Sequence, residues 1–139
     1  MTIYLAGSKR GSEKGNAISG WRQKAMGLLH YEPDIRDPFR GKKRLPNGKF
    51  DDTLYTANEI VSRDLKDIRE SDVVLAEMVF DDYNYIGTCM EIRAAAEYGI
   101  PVVIWCPKNV AKHYWIEYHT VKSFETLEEC CDYINAYWM

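Results

Sequence analysis

A glutamate stands where the chain passes from a loop into a helix, in the stretch "YIGTCMEIRAAAEYGIPVVIWC". Glu91 could be structural, because Thr88 and Glu91 have the spacing of a capping box, in which the glutamate bonds back to the backbone at the helix start. It could also do chemistry, because the preceding loop contains Gly87, which allows a ligand to approach the backbone closely. The spacing alone fits both interpretations.

A second carboxylate, Asp64, lies in the helical pattern "EIVSRDLKDI", four residues after Ile60 and four before Ile68. This spacing places it on or beside the apolar stripe of the helix. A carboxylate there must be hydrogen-bonded or face a cavity, because an unpaired buried charge is costly. Asp64 is therefore either a satisfied structural residue or an acid whose pKa is raised by burial. We interpret Asp72, which opens a strand, as structural.

The first strand and its loop supply further candidates. Tyr4 lies inside "TIYLAG" and is expected in the core, where its hydroxyl needs a partner such as a carboxylate. The loop "GSKRG", with Ser8, Lys9 and Arg10, could cradle a phosphate through backbone N–H groups and positive charge, although this motif is a weak signal alone. The basic run that begins at Arg40 is more typical of a solvated loop, but Arg40 could reach over a crevice.

Apolar strands and amphipathic helices alternate along the chain and must position these residues. Strand patterns occur at "TIYLAG", around Ile35, at "DVVLAEMVF", at "PVVIWC" and, as a short edge strand, at "KSF". Helices are predicted from about Ile18 to Leu29, from Tyr55 to Arg69 with Ala57, Val61, Leu65 and Ile68 on its stripe, from Thr88 to Tyr98, and over "TLEECCDYINAYW", which Thr126 and Glu129 open as a capping box. The segment 31–52 has the composition of a long loop, which is typical of a disordered segment or a site.

This order of elements predicts an α/β protein. We expect a flavodoxin-like or Rossmann-like single domain over residues 1–139, with a mainly parallel five-stranded sheet and helices on both faces. Ligands of such sheets bind beyond the carboxyl ends of the strands, where the strand order reverses. The loops "GSKRGS" and "DDYNYIGT" follow two of the strands, so we expect both to open onto one crevice.

Composition excludes several classes of partner. The 139 residues are 46% hydrophobic and carry a net charge of −3, which gives no field to hold a nucleic acid polymer or an anionic membrane. No apolar run approaches the roughly 20 residues of a membrane span, and no basic leader precedes one, so we expect a cytoplasmic protein. The four cysteines lie in strand or helix patterns and are expected to be reduced. The three histidines have no metal-ligand spacing, so no metal is assigned.

Five segments together resemble the nucleoside 2-deoxyribosyltransferase family, in the form met in phage and bacterial genomes. They are "IYLAGS", "DPFRGKK", "EIVSRDLKDIRESDVVLAE", "GTCMEIRAAAEYGIPVVIW" and "YWIEYHTVKSFETLEE", which follow the family's order and cover most of the chain. The ordered set is far more specific than any single motif. The resemblance implies a flavodoxin-like fold and a homo-oligomer whose subunits complete each other's sites.

The resemblance also implies roles for single residues. Glu91 matches the nucleophile of the family's G-x-x-M-E pattern, Asp64 an aspartate that positions the sugar or protonates the leaving base, and Tyr4 a tyrosine that orients the nucleophile. The segment Tyr114 to Thr120 matches a region that reaches toward the nucleobase. Substrate contacts are expected from Gly7, Ser8, Arg10, Asp37, Phe39, Arg40, Tyr85, Gly87, Met90, Trp115 and His119.

The sequence departs from the transferases at Tyr85, where many of them carry an aspartate six residues before the nucleophile. Asp81 or Asp82 could substitute for that aspartate through a shift of the loop. The loop "YLAGSKRG" resembles that of the related deoxynucleoside 5′-monophosphate N-glycosidases, in which a serine and an arginine receive the phosphate. Those hydrolases place a phosphate-binding serine where Tyr85 stands, so the chain matches each relative in part.

The resemblance implies an enzyme that exchanges nucleobases on 2′-deoxyribose. A glutamate carboxylate attacks the anomeric carbon as the first base leaves, and a second base then attacks the same carbon. No cofactor is required. The expected partners are deoxynucleosides or deoxynucleotides and free nucleobases, with a preference for 2′-deoxy sugars. One alternative is a hydrolase of deoxynucleoside monophosphates, and an alternative of another class is a nucleotide-sensing module without turnover.

Overall fold

The computed structural model describes residues 1–9, 20–30, 33–39, 45–46 and 52–138. The strands are β1 Thr2–Ala6, β2 Asp34–Arg36, β3 Val73–Glu77, β4 Val102–Trp105 and β5 Lys122–Phe124. The helices are α1 Trp21–Leu28, α2 Ala57–Arg69, α3 Ile86–Glu97, α4 Lys108–Ala111, α5 Tyr114–His119 and α6 Leu127–Tyr137, with a 3-10 turn at Asp52–Leu54. The strands form one parallel sheet in the order β2-β1-β3-β4-β5, which confirms the predicted fold.

The two faces of the sheet carry separate apolar layers. On one face, Ile3 and Leu5 of β1 pack in a cluster that includes Trp21 of α1 and side chains of α6. On the other face, Tyr4 packs in a cluster that includes Ile68 of α2 and side chains of α3. Because successive strand residues point to opposite faces, Tyr4 is directed toward the two helices that carry Asp64 and Glu91.

Strand β3 is shorter than the predicted 72–80. The N–H of Met78 still donates to the carbonyl of Trp105, at 2.9 Å. At Val79, however, the N–H donates to the carboxylate of Glu77, at 2.7 Å. The side chain of Glu77 thus takes the place of the neighbouring strand, and the chain turns away from the sheet there.

Helix α2 buries the predicted stripe only in part. Of the four predicted stripe residues Ile68 is buried and Leu65 is half-buried, whereas Ala57 is exposed and Val61 is 53% exposed. Ile60 and Asp64 are half-buried as well, and Asp67 is buried. The first half of the helix departs from the predicted stripe because its inward side chains, Ile60 and Asp64, line a cavity.

Helix termini are set by caps, one predicted and one missed. The Thr126 hydroxyl caps α6 by accepting from the N–H of Glu129 at 3.2 Å, which confirms one half of the predicted capping box; the Glu129 carboxylate accepts from the Thr126 hydroxyl at 2.8 Å. At α2 the sequence also carries a capping box, in which Thr56 and Glu59 bond reciprocally. That cap starts the helix at Ala57, two residues after the predicted start.

Two short helices, α4 and α5, were not predicted between β4 and β5. Their lengths, 4 and 6 residues, are too short to show helical periodicity in a sequence. Asp72 is structural, as predicted, because its Oδ2 accepts from the N–H of Thr2 at 2.8 Å. No helix in the described part of the chain is long and apolar enough to cross a membrane.

Candidate active site

Glu91 does not cap helix α3. The helix begins at Ile86 with Tyr85 at the N-cap position, so Glu91 lies in the second turn. The capping-box interpretation was therefore wrong, because Thr88 is a buried residue inside the helix and not its cap. Instead, Oε2 of Glu91 accepts a hydrogen bond from the hydroxyl of Tyr4. This contact ties the first helix turns of α3 to the middle of β1.

Glu91 opens into a cavity of about 360 Å³ at the carboxyl ends of β1 and β3. Strand order reverses between these two strands, which is where parallel sheets bind ligands. The lining residues come from both predicted loops, from the loop after β2, and from α2 and α3: Gly7, Lys9, Pro38, Phe39, Ile60, Asp64, Tyr83, Asn84, Gly87, Thr88 and Glu91. The prediction that the loops after β1 and β3 share one crevice is confirmed.

The surroundings of Glu91 favour its protonated form. Burial raises the pKa of this carboxyl group to about 7, and the negative charge of Asp64 acts in the same direction. The Tyr4 hydroxyl and the positive charge of Arg22 oppose that rise in pKa. Burial and the charges of Glu91 and Asp64 raise the pKa of Tyr4 well above 10, so its phenol keeps the proton it donates. Glu91 is thus poised to change charge near neutral pH.

Asp64 lines the same cavity as Glu91 and is half-buried. It also lines an adjoining cavity of about 230 Å³, bordered by Tyr55, Glu59 and Arg63. The two cavities share Pro38 and Ile60 besides Asp64. A ligand attached at Glu91 therefore has space on both sides of the aspartate.

Ser8 and Tyr85 do not line the cavity, although both were predicted to contact substrate. Ser8 is fully buried, and its hydroxyl and N–H donate to Oε1 of Glu77 at 2.6 and 3.0 Å. The hydroxyl of Tyr85 donates to Oε2 of the same carboxylate and accepts from the N–H of Phe80 at 3.1 Å. Burial and the bond to Glu77 raise the pKa of Tyr85. In this structure both side chains therefore bind Glu77 inside the protein and do not reach the cavity.

Asp37 is also buried, and its partner is an arginine that sequence reasoning missed. Arg22 is fully buried on α1, and its Nε lies 3.4 Å from Oδ1 of Asp37. Burial lowers the pKa of Arg22 and the charge of Asp37 opposes that change. An arginine remains protonated under such conditions, so a positive charge lies behind the cavity wall.

Glu77 and Arg22 both left signals in the sequence. Glu77 is a carboxylate in the otherwise apolar run "VVLAEM", which is the same kind of anomaly that drew attention to Asp64. Arg22 shares helical spacing with Ala25 and Leu29, both buried, so it belongs to the inward stripe of α1.

The other predicted contacts are divided between the cavity and a separate surface. Gly7, Phe39 and Gly87 line the Glu91 cavity. Met90 points away from it and is 68% exposed. The remaining described positions, Trp115 and His119, border another cavity of about 640 Å³ together with Arg93, Tyr114, Glu117 and Tyr118. Arg10 and Arg40 lie outside the described residues.

This arrangement can perform substitution at a saturated carbon. One carboxylate, held by a phenol, faces an open cavity, and a second carboxylate borders the space beyond it. Paired carboxyl groups of this kind supply a nucleophile and a proton donor in glycosidic bond cleavage. In the described part of the chain, no group of three or more His, Cys, Asp or Glu side chains could hold a metal ion.

Fold and site together define an α/β protein with a carboxylate that faces a cavity at the switch point of a parallel sheet. The sequence model of the family described as nucleoside 2-deoxyribosyltransferase matches residues 3–128. The chain belongs to this family. No curated protein matches the sequence.

Solved structures share the fold at low sequence identity. A 2-deoxyribosyltransferase of Bacillus psychrosaccharolyticus is 20% identical, with a TM-score of 0.69 over 96% of this chain and 92% of that protein. A conserved protein of Enterococcus faecalis is 15% identical, with a TM-score of 0.66 over 97% of both chains. The CMP N-glycosidase of Clostridium botulinum is 15% identical, with a TM-score of 0.61 over 99% of both chains. At these identities the likeness concerns the fold.

Proposed function

We propose that the protein is a nucleoside 2-deoxyribosyltransferase, which moves 2-deoxyribose from one nucleobase to another through a covalent bond to Glu91. The observation that supports this best is the half-buried Glu91 carboxylate, bonded to Tyr4 and facing a cavity that Asp64 also lines. Family membership supports the same reaction class.

In the first step of this proposal, Oε1 of Glu91 attacks the anomeric carbon, because Oε2 is bound to the Tyr4 hydroxyl. The bond from that carbon to the base nitrogen breaks, and its electron pair leaves with the base. Asp64 supplies a proton to the departing base, a contribution that is typically worth about a hundredfold to ten-thousandfold in rate. The sugar is then held as an ester of Glu91.

In the second step, a nitrogen of the incoming base attacks the same carbon. The ester bond breaks, its electron pair returns to Glu91, and the incoming base loses a proton to Asp64. Each step inverts the anomeric centre, so the exchange retains its configuration. A 2′-hydroxyl would crowd the covalent intermediate, and we therefore expect a preference for 2′-deoxy substrates.

A second candidate is hydrolysis of deoxynucleoside monophosphates, in which water replaces the incoming base. The observation that favours it is Lys9, a cation that lines the Glu91 cavity and could receive a phosphate. The Ser8 hydroxyl supports this candidate less than the sequence suggested, because it donates to Glu77.

We further propose that the protein forms a homo-oligomer, which acts in nucleotide salvage in the cytoplasm. Large side chains lie exposed on α5 and on one face of α3, namely Tyr114, Trp115, Tyr118, Ile86 and Met90. Exposed aromatic and apolar side chains in such numbers are typical of an interface. Light scattering of the wild type and of Tyr118→Glu tests this, since we expect the substitution to lower the mass; a monomeric wild type would refute it.

Chromatography of three reactions tests the function: thymidine plus adenine, thymidine alone, and a panel of deoxynucleoside monophosphates without acceptor. Each is repeated with Glu91→Ala and with Glu97→Ala, an exposed glutamate of the same helix. Deoxyadenosine formed only in the first reaction, and lost only in Glu91→Ala, is the expected result. Equal turnover when a ribonucleoside replaces thymidine in the first reaction would refute the sugar preference.

Other outcomes select the alternatives. Free base released mainly from monophosphates would make the protein a nucleotide hydrolase. Tight nucleotide binding that Glu91→Ala leaves unchanged, with no base released, would identify a sensor module and refute both catalytic proposals.

A further inference from the structure

A buried arginine connects the loop after β1 to the loop after β2. Nη1 of Arg22 donates to the carbonyl of Ser8 at 2.6 Å, and Nη2 donates to the carbonyl of Gly7 at 3.2 Å. On its other side Nε lies 3.4 Å from Oδ1 of Asp37, in the loop after β2. Both charged side chains are buried, so this ion pair is shielded from water.

The orientation of the guanidinium group is fixed by two aromatic rings. It lies 4.6 Å from the ring centroid of Trp21 and 4.7 Å from that of Phe39. The N–H of Phe39 donates to Oδ1 of Asp37 at 3.0 Å, the same oxygen that faces Arg22. Phe39 also lines the Glu91 cavity, so the side chain that forms this part of the cavity wall packs directly against Arg22.

The loop after β1 is held from its opposite side by Glu77. The N–H of Ser8 donates to Glu77, and the carbonyl of Ser8 accepts from Arg22. Two buried side chains of opposite formal charge therefore bind the backbone of this one residue. Gly7 has no room for a side chain, since a Cβ there would lie 2.9 Å from Trp21 and 3.0 Å from Glu77. The loop therefore has one well-defined path, and Gly7 is part of the cavity lining.

We propose that Arg22 is a positioning residue of the Glu91 site, which holds the loops after β1 and β2 in the conformation that forms two walls of the cavity. This inference rests on the function proposed above. Only a planar guanidinium with several donors can reach two carbonyls and a carboxylate at once. Apolar residues usually replace a buried ion pair without loss of stability, so packing alone does not account for an arginine here.

The charge of Arg22 has a second consequence at Glu91. Among the residues that the structure describes, the charged or titratable groups around Glu91 are Tyr4 from β1, Asp64 from α2, Arg22 from α1, Lys9 from the loop after β1 and Tyr83 from the loop after β3. Arg22 lowers the pKa of Glu91, whereas Asp64 raises it. A neutral residue at position 22 should therefore raise the pKa of Glu91, and loss of the opposing Asp37 charge should lower it.

Three variants and a control separate position from charge. Arg22→Lys keeps the positive charge but removes the planar guanidinium group with its several donors. Arg22→Met removes the charge, and Asp37→Asn removes the negative charge beside the arginine. Lys24→Met, at an exposed lysine of the same helix, is the control. The readouts are kcat/KM for base exchange, and the titration of the Glu91 carboxyl carbon by NMR, which requires no turnover.

We expect Arg22→Lys to lower kcat/KM by about tenfold to a hundredfold with an unchanged Glu91 titration, as displaced walls misplace the substrate. Arg22→Met should lower the rate and move the titration to higher pH, and Asp37→Asn should move it to lower pH. A folded Arg22→Met with wild-type rate and titration would overturn the inference. If Arg22→Met does not fold, wild-type behaviour of Arg22→Lys and Asp37→Asn would overturn it. A wild type without turnover refutes the proposed function, and the titrations then still decide whether Arg22 acts on Glu91.

Discussion

The hydroxyl of Tyr4 in β1 donates to Oε2 of Glu91 in α3, a residue 87 positions further along the chain. The phenol is fully buried and lies in the centre of the apolar layer beneath α2 and α3. Its bond occupies one carboxylate oxygen and leaves the other for the cavity. Because a hydrogen bond to the ionised form favours that form, Tyr4 opposes the effect of burial on the pKa of Glu91.

The substitution Tyr4→Phe should impair the reaction most at low pH. Loss of a hydrogen bond to a charged group removes about 1.5–3 kcal/mol, so the pKa of Glu91 rises by about one to two units. The acidic limb of the profile of kcat/KM against pH should move upward by that amount from its wild-type position near 7. Stopped assays between pH 5 and pH 9, chosen to span the ~2-unit shift, measure it.

Tyr98→Phe is the matched control. The Tyr98 hydroxyl accepts from Arg69 at 3.3 Å, at the far end of α3 from the cavity, and should leave the pH profile unchanged. An identical acidic limb in Tyr4→Phe and the wild type would show that the phenol does not act on Glu91.

The substitution Glu91→Gln should abolish turnover while stabilising the protein above neutral pH. Loss of a nucleophile removes about 10⁴-fold or more of the rate. The amide oxygen can still accept from Tyr4, so the packing of the site is kept. If Glu91 had only a structural role, Glu91→Gln would instead keep the activity and lower the stability of the protein.

The pH dependence of that stability follows from the pKa of Glu91. In the folded protein the pKa is about 7, above the ordinary value of 4.5, so the folded state binds a proton more tightly than the unfolded state. Below pH 4.5 the carboxyl group is protonated in both states and does not lower the free energy of unfolding. Between pH 4.5 and about pH 7 its ionisation lowers that free energy increasingly. Above that pH the penalty is at most about 3.5 kcal/mol, at ~1.4 kcal/mol for each pH unit between 4.5 and about 7.

Thermal unfolding at low and high pH measures this difference. Glu91→Gln should raise Tm at pH 8 and leave it unchanged near pH 4, whereas Glu97→Gln, at an exposed site of α3, should change it little at either pH. A fall in Tm of Glu91→Gln at pH 8 would contradict the raised pKa.

The fold was predictable because its signals are local and repeated. Runs such as "VVLAE" and "VVIW" are apolar on both faces, which only a covered parallel sheet explains, and the alternation with helices then fixes the strand order to few choices. Element ends were less predictable. At Val79 the strand end depends on a hydrogen bond that the Glu77 carboxylate accepts, and at Ala57 the helix start depends on the reciprocal bonds of Thr56 and Glu59; apolar periodicity does not show such bonds.

The site was predictable only in part. Glu91 and Gly7 were expected at the crevice because topology places their loops at one edge of the sheet, and Asp64 was singled out as a carboxylate on or beside an apolar stripe; all three line the cavity. The positions of Ser8 and Tyr85 were not, because they depend on a side chain in another strand whose carboxylate both hydroxyls reach. Such contacts between distant residues become visible only once the register of the sheet is known.

The substitution Asp64→Asn should slow the departure of ordinary bases. If Asp64 protonates the base, its loss lowers kcat by about a hundredfold to ten-thousandfold with thymidine or deoxyadenosine. A base that already carries a positive charge, as in 7-methyl-2′-deoxyguanosine, leaves without a proton and should be released at close to the wild-type rate. Since the Asp64 charge raises the pKa of Glu91, the acidic limb should also move to lower pH.

Asp132→Asn, at an exposed position of α6, controls for the loss of one negative charge. An equal loss of rate with the neutral and the charged base would exclude Asp64 as the proton donor and leave it a role in holding the sugar.

The substitution Ser8→Ala decides between two roles for this serine. In the structure its hydroxyl donates to Glu77 at 2.6 Å and is fully buried, so its loss should disturb the loop after β1 and not a contact to a phosphate. We therefore expect kcat/KM to fall by a similar factor for a deoxynucleoside and for its 5′-monophosphate, by about tenfold if the loop shifts. Ser62→Ala, at an exposed serine of α2, should have no effect on either substrate. A loss confined to the monophosphate would show that Ser8 turns from Glu77 to the phosphate when substrate binds, and would favour the hydrolase.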